Sequence, residues 1–287
     1  MAGPVQGFSV RIFVPGGDPE GLKIVEKSNW TGQGIVFPRP LFAEARKRPE
    51  LKRTGVYVLW GPVESSQLPR AYVGEGDSVL SRLDLHAKNK DFWTHGVVFT
   101  SKDHNLNKAY VKYIEARLVA LANKAKKCEI DNGNVPQVPL LSEADRVDAE
   151  GFLADILLCL PVVGVSLFEQ AKVTSRKGQD LILKAKGIEA RGVDSPQGFA
   201  VRAGATAVKT EVPSIHASLA NLRQTLIEKG VLEDGEETFR LAQDYTFRSP
   251  STAAGVLLGR SANGRIEWKN TKGFTLKEIQ NAQAGGA

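Results

Sequence analysis

The chain has 287 residues, of which 42% are hydrophobic and 24% are charged, and these ordinary values exclude a fibrous or largely disordered protein and predict about two domains. Its longest apolar run, residues 156–165, is interrupted by Pro161 and is far shorter than the roughly 20 residues that cross a bilayer, so no membrane association is expected. The N-terminus has no signal-like segment, and the two cysteines, Cys128 and Cys159, do not form a CxxC pair. These features predict a cytoplasmic protein with neither a disulfide scaffold nor a structural zinc site.

The net charge of +6 is concentrated in one segment of the chain. Residues 46–127 contain sixteen of the 38 Lys and Arg residues but only eight of the 32 Asp and Glu residues, so the remainder is close to neutral. A basic segment of this kind is typical of a protein that binds a polyanion such as nucleic acid. A solvated basic surface explains the charge equally well at this point.

Residues 1–52 are predicted to form an N-terminal extension made of a hairpin and a helix. Alternating apolar residues at 8–14 and the run at 22–25 indicate two strands, separated by a turn rich in Gly and Pro. Residues 28–34 are predicted to be a loop, and residues 41–48 contain helix-favouring residues.

Residues 53–135 are predicted to form the first domain, in the order strand, strand, helix, strand, helix. Valine and aromatic residues indicate strands at 55–60, 71–74 and 96–100, the first two forming a hairpin. Asp77 or Ser78 caps a helix that reaches about Lys88, and apolar spacing predicts a long helix from Asp103 or Asn105 to about Lys127.

Residues 136–172 are predicted to be a helical extension, in which Ser142 begins a helix that ends before Pro161. Residues 173–189 are predicted to contain a linker and the first strand of the next domain. Residues 190–287 are predicted to form a small C-terminal α+β domain.

Inside that C-terminal domain, further elements are predicted from turn and capping signals. Strands at 181–190 and 198–208 would be joined by a turn at 194–196, and an amphipathic helix would begin at Pro213. Ser249 would cap a short helix, and Asn263-Gly264 would form a turn.

Five residues of the first domain have side chains suited to acting on a phosphate. Tyr57 and Tyr72 lie in neighbouring predicted strands, Arg82 and His86 share a helix face at i and i+4, and Glu115 borders an apolar stripe on a basic helix. Taken singly, each tyrosine is a typical core aromatic, and Glu115 a typical partner of a surface lysine.

Taken together, these residues resemble the GIY-YIG endonuclease family. Gly55-Val56-Tyr57 corresponds to the first motif and Tyr72-Val73-Gly74 to the second, with Val in place of the typical Ile in both. The loop at 61–70 is somewhat long for the family. The resemblance covers roughly residues 53–135 and implies an α+β fold with a small antiparallel sheet flanked by helices.

The resemblance also implies roles for individual residues. Tyr57, Tyr72, Arg82 and His86 would be catalytic, and Glu115 would bind Mg²⁺ or Mn²⁺. A phenol has a pKa of about 10, so Tyr57 needs strong positive charge nearby to act as a base. The candidate nucleic-acid-binding residues of this domain are Gly74, Lys88, and Asn132 or Asn134, the two asparagines both fitting a position that the family places beyond the long helix.

The C-terminal part resembles a domain of unknown function that often follows GIY-YIG domains and is similar to domains attached to restriction and DNA-modification enzymes. The resemblance rests on residues 249–254, residues 259–264 and Trp268. It implies a DNA-recognition module in which Arg260 and Asn263 contact nucleic acid. The alternative is that Asn263-Gly264 is only a turn and Trp268 only packs in the core.

The sequence therefore predicts a metal-dependent endonuclease that hydrolyses phosphodiester bonds, with DNA as the expected substrate. A non-cleaving nucleic-acid-binding or regulatory protein that retains the nuclease fold is the alternative. That alternative does not require the two tyrosines, the arginine and the glutamate to occur together.

Overall fold

The computed structural model describes residues 7–64, 66–103, 105–171, 173 and 180–284. The chain divides into two compact units, one made of Met1–Val63 and Leu68–Glu169 and the other of Glu64–Gln67 and Gln170–Ala287. Within the described residues the architecture is mixed α+β, with eight α-helices and three sheets. No helix in those ranges is both long enough and apolar enough to span a membrane.

The first unit contains a seven-stranded sheet, in which the strand order is β1-β2-β3-β6-β4-β5-β7. The short β7 runs parallel to β5, whereas β6 is antiparallel to both β3 and β4. The strands are β1 (Val10–Phe13), β2 (Lys23–Lys27), β3 (Gly32–Pro38), β4 (Gly55–Val63), β5 (Ser66–Gly76), β6 (His95–Ser101) and β7 (Glu129–Ile130).

Four α-helices of this unit cover the two faces of the sheet: α1 (Phe42–Ala45), α2 (Val79–Asn89), α3 (Lys108–Ala125) and α4 (Glu143–Val162). Two 3₁₀ turns, Arg39–Leu41 and Pro49–Lys52, flank α1. Because side chains alternate along a strand, Val56 of β4 packs with Ile114 of α3, while Tyr57 packs on the other face with Leu83 of α2. The strand β4 thus contributes to both cores.

The N-terminal strands belong to the same sheet as the predicted nuclease segment, which corrects the expectation of a small sheet with a separate extension. The predicted loop at 28–34 was wrong from Gly32 onward, because Gly32–Pro38 forms β3 and pairs along its length with β6, whereas residues 28–31 lie outside the strands. Its glycines look like loop residues in the sequence. In the structure, side chains at Gly32 and Gly34 would overlap the rings of Trp30 and Phe99, so these glycines make room for aromatic packing.

Two predicted helix ends were also wrong. The long helix α3 begins at Lys108, because the Asn107 side chain accepts a hydrogen bond from the Tyr110 amide and caps it there. The helix α4 continues through Pro161 to Val162. Because the proline lies in the last turn, its missing amide costs only one helical hydrogen bond.

The second unit contains two small sheets, with strand orders β14-β10-β9-β8 and β11-β13-β12, and four α-helices. The strands are β8 (Leu181–Ala185), β9 (Ile188–Ser195), β10 (Gly198–Val201), β11 (Thr206–Val208), β12 (Leu232–Asp234), β13 (Thr238–Leu241) and β14 (Tyr245–Phe247). The helices are α5 (Ala217–Glu228), α6 (Pro250–Leu258), α7 (Gly264–Glu267) and α8 (Leu276–Ala284).

The two long strands predicted in this unit are four shorter ones. Lys186 and Gly187, both with positive φ, form a tight turn between β8 and β9 that the apolar pattern did not indicate. The Ser249 cap is confirmed, since its hydroxyl accepts a hydrogen bond from the Thr252 amide. The predicted turn at Asn263-Gly264 is instead the start of α7. Most of the predicted linker, residues 174–179, lies outside the described residues.

Candidate active site

The two motif tyrosines lie side by side on one face of the sheet. Tyr57 of β4 and Tyr72 of β5 have ring centroids 6.1 Å apart, and both belong to the core beneath α2. Gly74 provides the space between them, because a methyl group at this position would overlap the Tyr57 phenol and crowd the Tyr72 ring. Gly74 therefore has a packing role in the structure, whereas the sequence analysis named it as a candidate nucleic-acid-binding residue.

The helix α2 presents Arg82 and His86 to these tyrosines, as the i, i+4 spacing predicts. The Tyr57 hydroxyl and the His86 Nε2 are 2.8 Å apart, and the His86 ring centroid is 4.6 Å from that of Tyr72. The Arg82 guanidinium is near enough to the Tyr57 oxygen for its positive charge to oppose the rise in the pKa of the phenol. A phenol and an imidazole are thus in direct contact, within the electrostatic reach of a guanidinium.

The protonation of this group is set mainly by burial. Burial, followed by the neighbouring Tyr72, raises the pKa of Tyr57 well above its ordinary value despite the opposing effect of Arg82. Burial, followed by the positive charges of Lys90 and Arg82, lowers the pKa of His86 to about 4. At neutral pH the phenol is therefore protonated and the imidazole neutral, so the Tyr57 hydroxyl can donate its hydrogen bond to Nε2.

Glu115 of α3 is the carboxylate of the site. Burial, and then the negative charge of Glu75, raise the pKa of Glu115 to about 7, and the cations Arg82, Lys108 and Lys112 only partly offset this. A half-buried carboxylate that lacks enough positive charge fits a divalent cation. Mg²⁺ is commonly bound through one or two carboxylates and keeps several waters, which a single carboxylate allows.

Four charged residues around the site were missed by the sequence analysis. Glu75, directly after Gly74 in β5, accepts a hydrogen bond of 2.7 Å from the Lys108 ammonium. Lys90 at the end of α2 lies over the Tyr72 ring and forms an ion pair with Asp131. The position of Glu75 beside the motif residue Gly74 could have identified it from the sequence. The Lys90–Asp131 pair could not be identified in this way, because the two residues are 41 positions apart.

The structure distinguishes the two candidate asparagines. The Asn132 side chain accepts a hydrogen bond from the Val73 amide at 3.0 Å and donates one to the Val73 carbonyl at 2.7 Å. Asn132 therefore continues the β5–β7 pairing with its side chain, between the motif residues Tyr72 and Gly74. Asn134 is exposed in the following loop, and Lys88 is exposed on α2.

The candidate binding residues of the second unit have structural partners there. Arg260 forms a 2.6 Å ion pair with Glu267, and the Asn263 side chain accepts a hydrogen bond from the Arg265 amide at the start of α7. Trp268 is fully buried and donates its indole N–H to the Pro250 carbonyl, as the packing alternative predicted. Both polar side chains thus stabilise the local fold in this structure.

Comparison with known proteins gives one match. A family model described as Domain of unknown function (DUF4357) matches residues 181–280, about a third of the chain and all within the second unit. This range includes residues 249–268, on which the C-terminal resemblance rests. No curated protein and no solved structure matches the chain.

Proposed function

We propose that this protein is a metal-dependent endonuclease of the GIY-YIG type that hydrolyses phosphodiester bonds in DNA. The observation that supports it best is the grouping of Tyr57, Tyr72, Arg82 and His86 around one hydrogen-bonded centre. Glu115 is close enough for its charge to act on both Tyr57 and Arg82. This combination supplies the groups that phosphodiester hydrolysis requires: a proton acceptor, a fixed positive charge and a metal ligand.

In the proposed reaction, the Tyr57 oxygen takes a proton from the attacking water while the Tyr57 hydroxyl gives its own proton to Nε2 of His86. The hydroxide oxygen forms a bond to phosphorus, the bond from phosphorus to the leaving oxygen breaks, and the leaving oxygen takes a proton from solvent. This relay suits a buried phenol, because it never requires a free phenolate.

The charge that develops on the phosphate would be stabilised by Arg82, whose planar set of donors fits phosphate oxygens. Glu115 would hold a divalent ion, which when bound supplies further positive charge against the phosphate. The excess of basic residues at 46–127 supports a polyanionic substrate, since contacts to the phosphate backbone need no base recognition. The second unit is proposed to select the site of cleavage.

The direct test of the relay is plasmid nicking by Tyr57→Phe in the presence of Mg²⁺. This variant keeps the ring but removes the hydroxyl, so we expect the cleavage rate to fall by about 10²- to 10⁴-fold. Tyr110→Phe is the matched control, because it also removes one tyrosine hydroxyl bond from the first unit, that to Asp145. Wild-type protein that binds DNA without nicking it would favour the non-cleaving alternative. Equal nicking rates for Tyr57→Phe and wild type would instead exclude Tyr57 from the relay.

A further inference from the structure

Lys90 links three parts of the candidate site. Its ammonium lies 4.6 Å from the centroid of the Tyr72 ring and pairs with Asp131, which follows β7. Its backbone amide donates a hydrogen bond to the His86 carbonyl at the end of α2. A lysine held in this way is only 22% exposed at its side chain, which is unusual for a residue whose sole role is solubility.

The charged and titratable groups around His86 come from every element packed against it. Tyr57 and Tyr72 face it from the sheet, Arg82 and Lys90 from α2 and its end, and Asp131 from the segment after β7. Lys90 and Arg82 disfavour a positive charge on the imidazole, and Asp131 favours it. After burial, Lys90 is thus the group that most opposes protonation of this histidine, ahead of Arg82.

We propose that Lys90 is a positioning residue, which fixes the Tyr72 ring and, in addition to burial, disfavours protonation of the His86 imidazole so that Nε2 accepts the hydrogen bond of the Tyr57 hydroxyl. The inference rests on the proposed function for its catalytic meaning. The contact geometry and the charge of the imidazole are properties of the free protein.

An uncharged imidazole matters because a protonated Nε2 is a donor and has no lone pair for the Tyr57 hydroxyl. The relay would then be blocked before substrate arrives. A phosphate bound nearby adds negative charge, which favours the imidazolium that the relay forms. Lys90 would therefore help burial to keep Nε2 unprotonated to lower pH in the free protein, without preventing its use with substrate bound.

Two variants of the full-length protein separate a charge effect from loss of the ion pair. Lys90→Met removes the cation and should move the titration midpoint of His86 upward, by on the order of one pH unit. Asp131→Asn removes the opposing carboxylate and should move it downward. Both variants break the same ion pair, so a purely structural role for the pair would shift both midpoints in the same direction.

The measurement is a pH titration of the imidazole resonances by NMR, with the His86 signals assigned from their absence in His86→Asn. The chain's other histidines serve as internal controls, and Lys90→Arg, which keeps the charge, should titrate like wild type. Circular dichroism confirms that each variant is folded. Midpoints that stay unchanged in Lys90→Met, or that move the same way in both variants, would overturn the inference.

The acid limb of plasmid cleavage gives the catalytic readout. In Lys90→Met it should move to higher pH along with the His86 midpoint. If the titrations behave as expected while wild-type protein cleaves nothing, the proposed function fails and the electrostatic role of Lys90 remains. If wild-type protein cleaves DNA but the His86 midpoint is unchanged in Lys90→Met, the inference about Lys90 fails and the proposed function does not.

Discussion

The surroundings of Glu115 disfavour the ionised form of its carboxyl group. It lies between the apolar core of α3 and the carboxylate of Glu75, and both neighbours oppose its ionisation. The cations around it do not compensate fully, since its pKa rises to about 7. In the proposed function, a divalent ion would stabilise the ionised Glu115 carboxylate. Without the metal, the ionised carboxylate lowers the stability of the folded protein.

Stability should therefore depend on pH through Glu115. Its pKa is about 7 in the folded chain and near its ordinary value of 4.5 when unfolded, so its favourable contribution is full below pH 4.5 and is lost as the pH rises through 7. Glu115→Gln should raise the melting temperature of metal-free protein relative to wild type at pH 8.5 and show a smaller gain at pH 5.5. Thermal denaturation at both pH values measures this. The control is the exposed Glu44→Gln, and an equal gain at both pH values for Glu115→Gln would contradict the assignment.

At the scale of elements, the site depends on how closely β4, β5 and α2 approach one another. Gly74 is buried beside the Tyr57 phenol, which leaves no room for a side chain at this position. The glycine is therefore required by the tyrosine pair in the neighbouring strand.

Gly74→Ala should lower the free energy of unfolding by about 1 to 3 kcal/mol, because the added methyl group forces the Tyr57 ring out of place. Gly133→Ala is the matched control, since a methyl group there meets no atom within 4 Å, and it should change stability by less than about 0.5 kcal/mol. Urea denaturation measures both differences. Equal stability of the two variants would show that β4 and β5 are not packed as described.

Elements with local signals were predictable, and elements that depend on distant partners were not. The helix α2 and the i, i+4 placement of Arg82 and His86 follow from spacing within one helix. The strand β3 has a glycine-rich sequence, and its conformation follows from pairing with β6, which lies far away along the chain. The tyrosines and Glu115 were chosen through the family resemblance, because taken singly they gave no functional signal. The contact of Lys90 with Tyr72 and Asp131 required the tertiary structure.

At the scale of the whole molecule, the two units carry different kinds of information. The first unit holds the basic segment and the cluster around Tyr57, which support a chemical role. The second unit carries the family match at residues 181–280, whose description names no function. The proposal of an endonuclease therefore depends on the first unit, and the second enters it only as the proposed selector of the cleavage site.

The most direct test of the proposed endonuclease is a Mg²⁺ titration of plasmid nicking by the full-length wild-type protein and by Glu115→Gln. We expect nicking by the wild-type protein to rise with Mg²⁺ and to be abolished by EDTA. We expect no nicking by Glu115→Gln, which remains folded and still binds DNA. Glu44→Gln should behave as wild type. Nicking by wild type in EDTA, or full activity of Glu115→Gln, would contradict a metal-dependent nuclease centred on Glu115.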